Sequence, residues 1–569
     1  MAMTNEPISP VRAQPATREW SELDRLCDQY MLDVAKLDPI AATDWGLPGD
    51  QAALPDLSPA GLKELAELQA GLLVKLKTVE LVDDVDHVTA AALKDRLGLE
   101  LELFESGEKY AELNNLASPI QQVRDIFSLM PTETAADWEN ILGRLRAIPQ
   151  ALEGYKESLA LGAEMAVVAT KRQVHIGMEQ CKKLSHAGGY FAKLVGTCPL
   201  DVAAEVGGRD LHRAATEAAH AYHSLGMWLR SNLLRQAPSE DGVGEKRYKL
   251  FSAMFVGAKV DLDETYQWGL EELARIKDAQ RQIAEQLYGP GTTVRECFNR
   301  LEADPARQVR GKPALKKWLQ DTADQAIAEL NGTQFDIAPP LQTIECMIAP
   351  SDEGGIWYTA PSADFSRPGR MWWSVPKGDD VFHVWQERTT VFHEGVPGHH
   401  LQLGQAIYQA ETLNLWRRLG SWFSGYGEGW ALYAEQLMAD LGYQSDPADM
   451  LGMLDGQRLR AARVVLDIGV HLEKKRPDGQ GTWDADYAWT FLRENVTGSD
   501  AMLRFELDRY LGWPGQAPSY KIGQRLWEQL AQEYRKKHGD SPEVMRQFHS
   551  RALNLGALPM KTLFDVVLS

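Results

Sequence analysis

V-F-H-E-G-V-P-G-H-H-L-Q, from Val391 to Gln402, packs His393, Glu394, His399 and His400 into eight residues of a chain that has 13 histidines among 569. With E-G-W-A-L-Y-A-E beginning at Glu428, it reads as a metal site on helices. A His-Glu pair is the first half of the zinc-hydrolase signature H-E-x-x-H, in which two imidazoles bind the ion and the Glu acts as general base. Here position i+4 from His393 is Pro397, and the next histidines fall at i+6 and i+7. On a regular helix i+6 points away from i, and i+7 lies roughly 10 Å along the axis. Pro397 breaks that regularity. Its ring clashes with the carbonyl of His393, it donates no N–H, and it disfavours helical backbone at Val396. With Gly398 beside it the turn must bulge or restart, which can bring a later histidine to where an i+4 ligand would stand. This favours His399 over His400 as the second ligand. The plainer alternative is a helix start with ordinary surface histidines.

Two histidines leave a catalytic zinc short of one protein ligand, typically a His or carboxylate from another helix. Glu428 is the candidate. It lies 29 residues after His399, enough for one helix to finish and a second to return antiparallel. Gly425, Gly427 and Gly429 allow close backbone approach, and Glu435 at i+7 shares the face of Glu428 and could orient a ligand histidine. Alternatively Glu428 is a first-turn acid favoured by the helix dipole. Bound there, one Zn²⁺ per chain would acidify water and polarise a carbonyl, with Glu394 as general base.

Working outward, the residues before the motif change character at Ile344. Short aromatic and β-branched runs at Gly355–Tyr358 and Arg370–Val375 predict a small sheet just ahead of the metal motif, as an edge for an extended substrate or as a cap on the core. Elsewhere the period is helical. Ser58-Pro59 caps a helix carrying Leu62, Leu65, Leu68, Leu72 and Leu76, Tyr266 to Leu287 continue the pattern up to Pro290-Gly291, and a further helix is expected from Pro313 to Leu330. Gln236 to Lys246, Q-A-P-S-E-D-G-V-G-E-K, is the break between lobes. The expected organisation is a disordered tail over 1–18, an N-terminal helical lobe over 19–240 and a C-terminal catalytic lobe over 241–569, joined in one unit.

The formal charge is −20, from 60 basic and 80 acidic residues, and no basic patch suggests a nucleic-acid or anionic-membrane partner. Five scattered cysteines, Cys27, Cys181, Cys198, Cys297 and Cys346, form no C-x-x-C pair, so neither a disulfide framework nor a thiolate site is indicated. The start of the chain lacks the apolar core of a signal peptide, and no apolar run approaches the roughly 20 residues that span a bilayer. A cytoplasmic location, with no nucleic-acid or membrane partner, is the expectation. There is no G-x-S-x-G and no phosphate-binding G-x-x-x-x-G-K-[ST].

The blocks H-E-G-V-P-G-H-H-L-Q, E-G-W-A-L-Y-A-E and R-Y-L-G-W-P-G-Q-A-P-S-Y-K-I-G-Q (Arg509 to Gln524) resemble the signature blocks of the bacterial family known as "domain of unknown function 885". So do S-R-P-G at Ser366 to Gly369 and R-x-x-x-D-x-G-x-H from Arg463 to His471. That family is similar in fold to carboxypeptidase Taq-type metallopeptidases and more distantly to the thimet oligopeptidase group. The resemblance implies a mainly α, large two-lobed molecule with a deep cleft. Those peptidases keep H-E-x-x-H, from which this chain departs. In the last block Tyr520 or Tyr510 could donate to a tetrahedral oxyanion, as a tyrosine does in the related peptidases, and Arg509 or Lys521 could pair with a substrate's terminal carboxylate. The alternative is a Trp-Pro-Gly turn whose polar residues join two helices. Arg463, Asp467 and His471 share one helix face as an ion-pair ladder, with His471 a substrate-binding candidate if it faces the cleft.

The expectation is a zinc-dependent hydrolase of peptide bonds, with the resemblance implying a metallocarboxypeptidase acting on short peptides. The rivals are a metal-dependent amidase or esterase of a non-peptide metabolite, and a helical binding protein with a defunct metal site. Oligomeric state is not expressed in these motifs.

Overall fold

A computed structural model describes residues 18–349 and 355–569. The disordered tail expected over 1–18 therefore lies, except for Arg18, outside the described residues. Those described form a mainly α-helical protein with two small sheets.

The helices start and stop where local chemistry predicts. Ser58 accepts from the Gly61 N–H, and Pro59 opens the helix Pro59–Lys75, because proline's missing N–H costs nothing in a first turn. The helix Leu262–Tyr288 ends at Gly289, and Lys312–Leu330 carries Pro313 in its first turn. Residues 238–244 contain no helix, as the Pro- and Gly-bearing composition there requires.

Packing forms several cores. One core joins Leu23 to Leu97 with Leu315 to Val567. Residues between Leu113 and Ala237 enclose a second core, and residues between Tyr248 and Ile522 a third. The first helices thus pack with the chain's end. Between these bodies lie two neighbouring cavities, of about 630 and 490 Å³, with Glu100, Lys109, Glu112, Ala117 and Gln122 in the walls of both.

The strands are β1 (Gln308–Arg310), β2 (Ile344–Ile348), β3 (Ile356–Thr359), β4 (Gly369–Trp373) and β5 (Val381–His383). β4 is central in a three-stranded sheet, parallel to β2 and antiparallel to β3. The register sets Trp357 opposite Trp372, with the rings stacked at 6.0 Å. β5 pairs with β1 and leads directly into the helix Val384–Glu394, so a strand fixes where the His-Glu segment begins.

Backbone contact between helices positions that segment. A Cβ on Gly452 would meet the Trp385 carbonyl oxygen at 2.2 Å, and one on Gly429 would meet the Gly523 carbonyl carbon at 2.5 Å. Only glycine permits these approaches, which draw the helices Pro447–His471 and Ser519–His538 against those carrying His393 and Glu428. Four of the cysteines are buried, Cys198 is partly so, and all five are free. No described helix is long and apolar enough to cross a membrane.

Candidate metal centre

The helix Val384–Glu394 stops at Gly395, and a new helix, His399–Tyr408, starts four residues later. The turn between them contains a cis Val396–Pro397 peptide. It is tied down by Gly398 N–H donating to Phe392 O at 3.0 Å and by the Trp430 indole donating to Pro397 O at 2.8 Å. The break is a restart rather than a bulge within one helix. Proline forbids continuation, and the chain turns tightly enough that a Cβ on Gly398 would lie 1.9 Å from the His393 carbonyl oxygen.

This turn delivers His393 and His399 to one place. Their rings stand edge to face with centroids 4.9 Å apart, and Glu428 enters from the helix Ser424–Asp440. Glu428 Oε2 lies 3.4 Å from His393 Nε2 and 3.6 Å from His399 Nε2. All three ligand atoms fall within 4.8 Å of one another. Two donors held 2.0–2.1 Å from a tetrahedral zinc stand roughly 3.4 Å apart, so the donor set and its spacing fit that ion. Two histidines and a carboxylate are also a donor set of catalytic zinc sites, with a fourth position for water.

His400 is turned elsewhere. Its Nε2 donates to the Leu341 carbonyl at 2.9 Å, so its Nδ1 accepts from the Tyr358 hydroxyl, also at 2.9 Å. Burial keeps it neutral, pushing it down to about 4. With both nitrogens occupied and the ring fully buried, the triad is made with His399.

A further carboxylate supports the first. His393 Nδ1 donates to Glu435 Oε1 at 2.8 Å, and Thr389 Oγ1 donates to the other carboxylate oxygen at 2.7 Å. Such a contact fixes the imidazole's orientation and leaves Nε2 for a cation. Burial opposes charge on His393, but Glu428 and Glu435 outweigh it and raise it to about 10. Burial likewise opposes charge on Glu428, and the two imidazoles hold it well below the usual carboxylate range. This is a buried concentration of negative charge that a proton or a divalent cation can answer. Glu394, 7% exposed, has its carboxyl raised by burial, with His393 and His399 pulling it partly back.

Of the remaining candidates, Tyr520 comes nearest the triad electrostatically. Burial and the Glu428 carboxylate push its hydroxyl up, while Arg509 and Arg463 oppose them, and both guanidiniums lie over its ring, at 5.8 and 5.1 Å. Tyr510 is not available in the same way, since its hydroxyl donates to Glu506 and accepts from Arg463. Arg509 donates to Gln516 at 2.6 Å and pairs with Glu506 at 3.5 Å, while its Nε has no hydrogen-bond partner. Lys521 faces a different side of its helix. It pairs with Glu272 at 3.0 Å and donates to Gln457 and Gln524, because consecutive helical residues project about 100° apart. His471 is fully buried, donating from Nε2 to Tyr510 O at 2.9 Å. The structure thus gathers His393, His399 and Glu428, leaves Glu394 and Tyr520 within reach of their charge, and encloses Tyr510, Lys521 and His471 elsewhere.

Sequence reasoning missed Thr389, Trp430 and Arg460. Thr389 lies one turn before His393, so helical spacing could have found it. Trp430 sits inside the Glu428 block, but its bond to Pro397 spans two helices. Arg460, whose charge acts on both Glu394 and Glu435, precedes the Arg463 block on the same helix and has no local signal.

Comparison with solved structures shows the same fold in two proteins, each described as a "putative lipoprotein". One, from Colwellia psychrerythraea, has a TM-score of 0.83 and 22% identity, covering 96% of this chain and 98% of its own. The other, of unknown function from Shewanella oneidensis, has a TM-score of 0.74 and 17% identity over 96% of this chain and 100% of its own. A Pyrococcus furiosus carboxypeptidase, apo-Mg, is similar only at a TM-score of 0.42 and 12% identity, covering 92% and 89% of the two chains. Among curated proteins no match was found. The cytoplasmic expectation is corrected: the two solved structures that share this fold are each described as a putative lipoprotein. The composition of the first residues, on which that expectation leaned, does not decide where a protein acts. The family model described as bacterial protein of unknown function (DUF885) matches residues 39–567, and the chain belongs to that family.

Proposed function

We propose that this protein is a metal-dependent hydrolase of peptide bonds, with zinc held by His393, His399 and Glu428. The observation that carries the reading is the convergence of three ligand atoms within 4.8 Å, backed by the Glu435 contact to His393. When bound, the ion supplies Lewis acidity to a substrate carbonyl and acidity to water.

Glu394 takes a proton from the attacking water as its oxygen bonds to the carbonyl carbon. It returns that proton to the nitrogen as the carbon–nitrogen bond breaks. A buried carboxylate with a raised pKa is a stronger base, which suits this role. The Tyr520 hydroxyl donates to the developing oxyanion. Burial and Glu428 keep that phenol protonated, as a donor must be.

The substrate is a short peptide. The cavity of about 490 Å³ has room for a short extended chain beside Glu428. Release from the C-terminus follows the resemblance to carboxypeptidase Taq-type enzymes, and Arg509, which shares its charge with Glu506 at 3.5 Å but keeps an unpartnered Nε, is the candidate cation for a terminal carboxylate.

Purified Glu394→Gln, assayed with its metal content on a panel of short peptides, tests the reading. It is expected to keep stoichiometric metal and to lose roughly 10²–10⁴-fold in rate. Wild-type turnover in that variant, or a wild-type protein that binds no divalent metal, would overturn it.

A further inference from the structure

The cavity of about 490 Å³ that reaches Glu428 has one wall unlike the rest of its lining. Phe251, Met254, Phe255, Leu511 and Trp513 line it together with Trp422. Phe255 and Trp513 meet edge to face at 5.5 Å, an arrangement that presents ring surface to a third ring.

Trp422 connects this wall to the triad. Its ring stands 6.5 Å from that of His399. It also lies over Gly427, where a Cβ would meet its Cη2 at 2.1 Å, so glycine beside Glu428 makes room for the indole. Its backbone carbonyl accepts from Arg96 at 3.2 Å, and Arg96 stacks on Phe423 at 5.3 Å. A tryptophan held this firmly is nonetheless 38% exposed. An anchored, exposed indole beside a polar triad is surface available to a ligand.

The charged groups of the same cavity are already matched. Arg247 grips Glu108 through two hydrogen bonds, at 2.5 and 2.8 Å. Lys109 pairs with Glu100 at 2.8 Å and Glu112 at 3.3 Å, and Arg96 with Glu100 at 3.0 Å. A charged side chain entering here would lose hydration without gaining an unpaired partner. An aromatic ring carries no charge whose hydration must be given up, and it would bury its apolar surface against the wall.

We infer that this cavity is the specificity pocket of the centre, that it takes an aromatic side chain next to the bond to be cleaved, and that Trp422 decides the preference. The inference rests on the metal-hydrolase reading for its chemistry but not for its ligand, so binding can test it separately from turnover.

The probes are 3-phenylpropanohydroxamate, acetohydroxamate and succinohydroxamate, titrated calorimetrically into the zinc-loaded full chain. The phenyl compound is expected to bind at least roughly tenfold more tightly than the other two. Trp422→Ala, and independently Phe255→Ala should the first fail to fold, are expected to remove most of that difference while retaining zinc. Trp422→Phe is expected to restore part of it. Equal affinities in the wild type, a preference for the charged probe, or a preference unchanged in a folded variant would each overturn the pocket, whereas no binding of any probe would overturn the metal centre on which it rests. Aromatic selectivity in a protein that hydrolyses no peptide would leave the pocket standing and remove the hydrolase reading instead.

Discussion

Glu435 accepts the Nδ1–H of His393 at 2.8 Å across two helices, so a neutral His393 must present its Nε2 lone pair towards Glu428. Glu435 itself is 1% exposed. Burial opposes its charge and His393 outweighs that, keeping it ionised. Glu435→Ala is expected to weaken zinc binding 10–100-fold, the usual cost of losing such a support. Competition against a chelator of known affinity measures this, and an unchanged dissociation constant would show that packing alone orients the ring.

The two adjacent histidines make opposite predictions. Zinc in large excess over its dissociation constant should stabilise the fold by up to about 4 kcal/mol. His399→Ala is expected to abolish that response. His400→Ala should keep it, but should lower stability without zinc by roughly 2 kcal/mol because Tyr358 and Leu341 lose a buried partner. Thermal and chemical unfolding with and without zinc separates the cases, and a reversed pattern would make His400 the ligand.

At Gly398 a methyl group would overlap the His393 carbonyl oxygen. Gly398→Ala is expected to cost about 2 kcal/mol or more and to lower zinc stoichiometry, since the turn must open to admit the side chain. Denaturant unfolding with metal analysis is the check. A variant of native stability with full zinc content would mean that the turn has slack this geometry does not show.

Glu506 is a source of acid sensitivity away from the triad. Burial opposes its charge, and Arg463 and Arg509 outweigh it, holding the carboxyl at about 2. Because the folded value lies below the unfolded value of about 4.3, the stability it contributes is fully present above that value. It is lost as pH falls through about 2. The contribution is on the order of 3 kcal/mol. Glu506→Gln should therefore be less stable near neutral pH and lose less on acidification than the wild type. Parallel stability curves for the two proteins between about pH 5 and pH 2 would assign the acid limb to other carboxylates.

By itself the sequence determined the helical class, the cap at Ser58-Pro59, the helix-free stretch over 238–244, the small sheet before the motif and the interruption at Pro397. Each is a local consequence of hydrophobic period, capping chemistry or proline geometry within a few residues. Tertiary packing decided that Leu23 to Leu97 share a core with the chain's end, since a period marks an apolar face but not what covers it. It also decided what holds His400, namely Leu341 and Tyr358, beside the His399 that the Pro397 break already favoured, and it sent Lys521 to Glu272. Leu341, Tyr358 and Glu272 lie more than forty residues away in the chain from the side chains they hold, and no local pattern encodes that they will meet them.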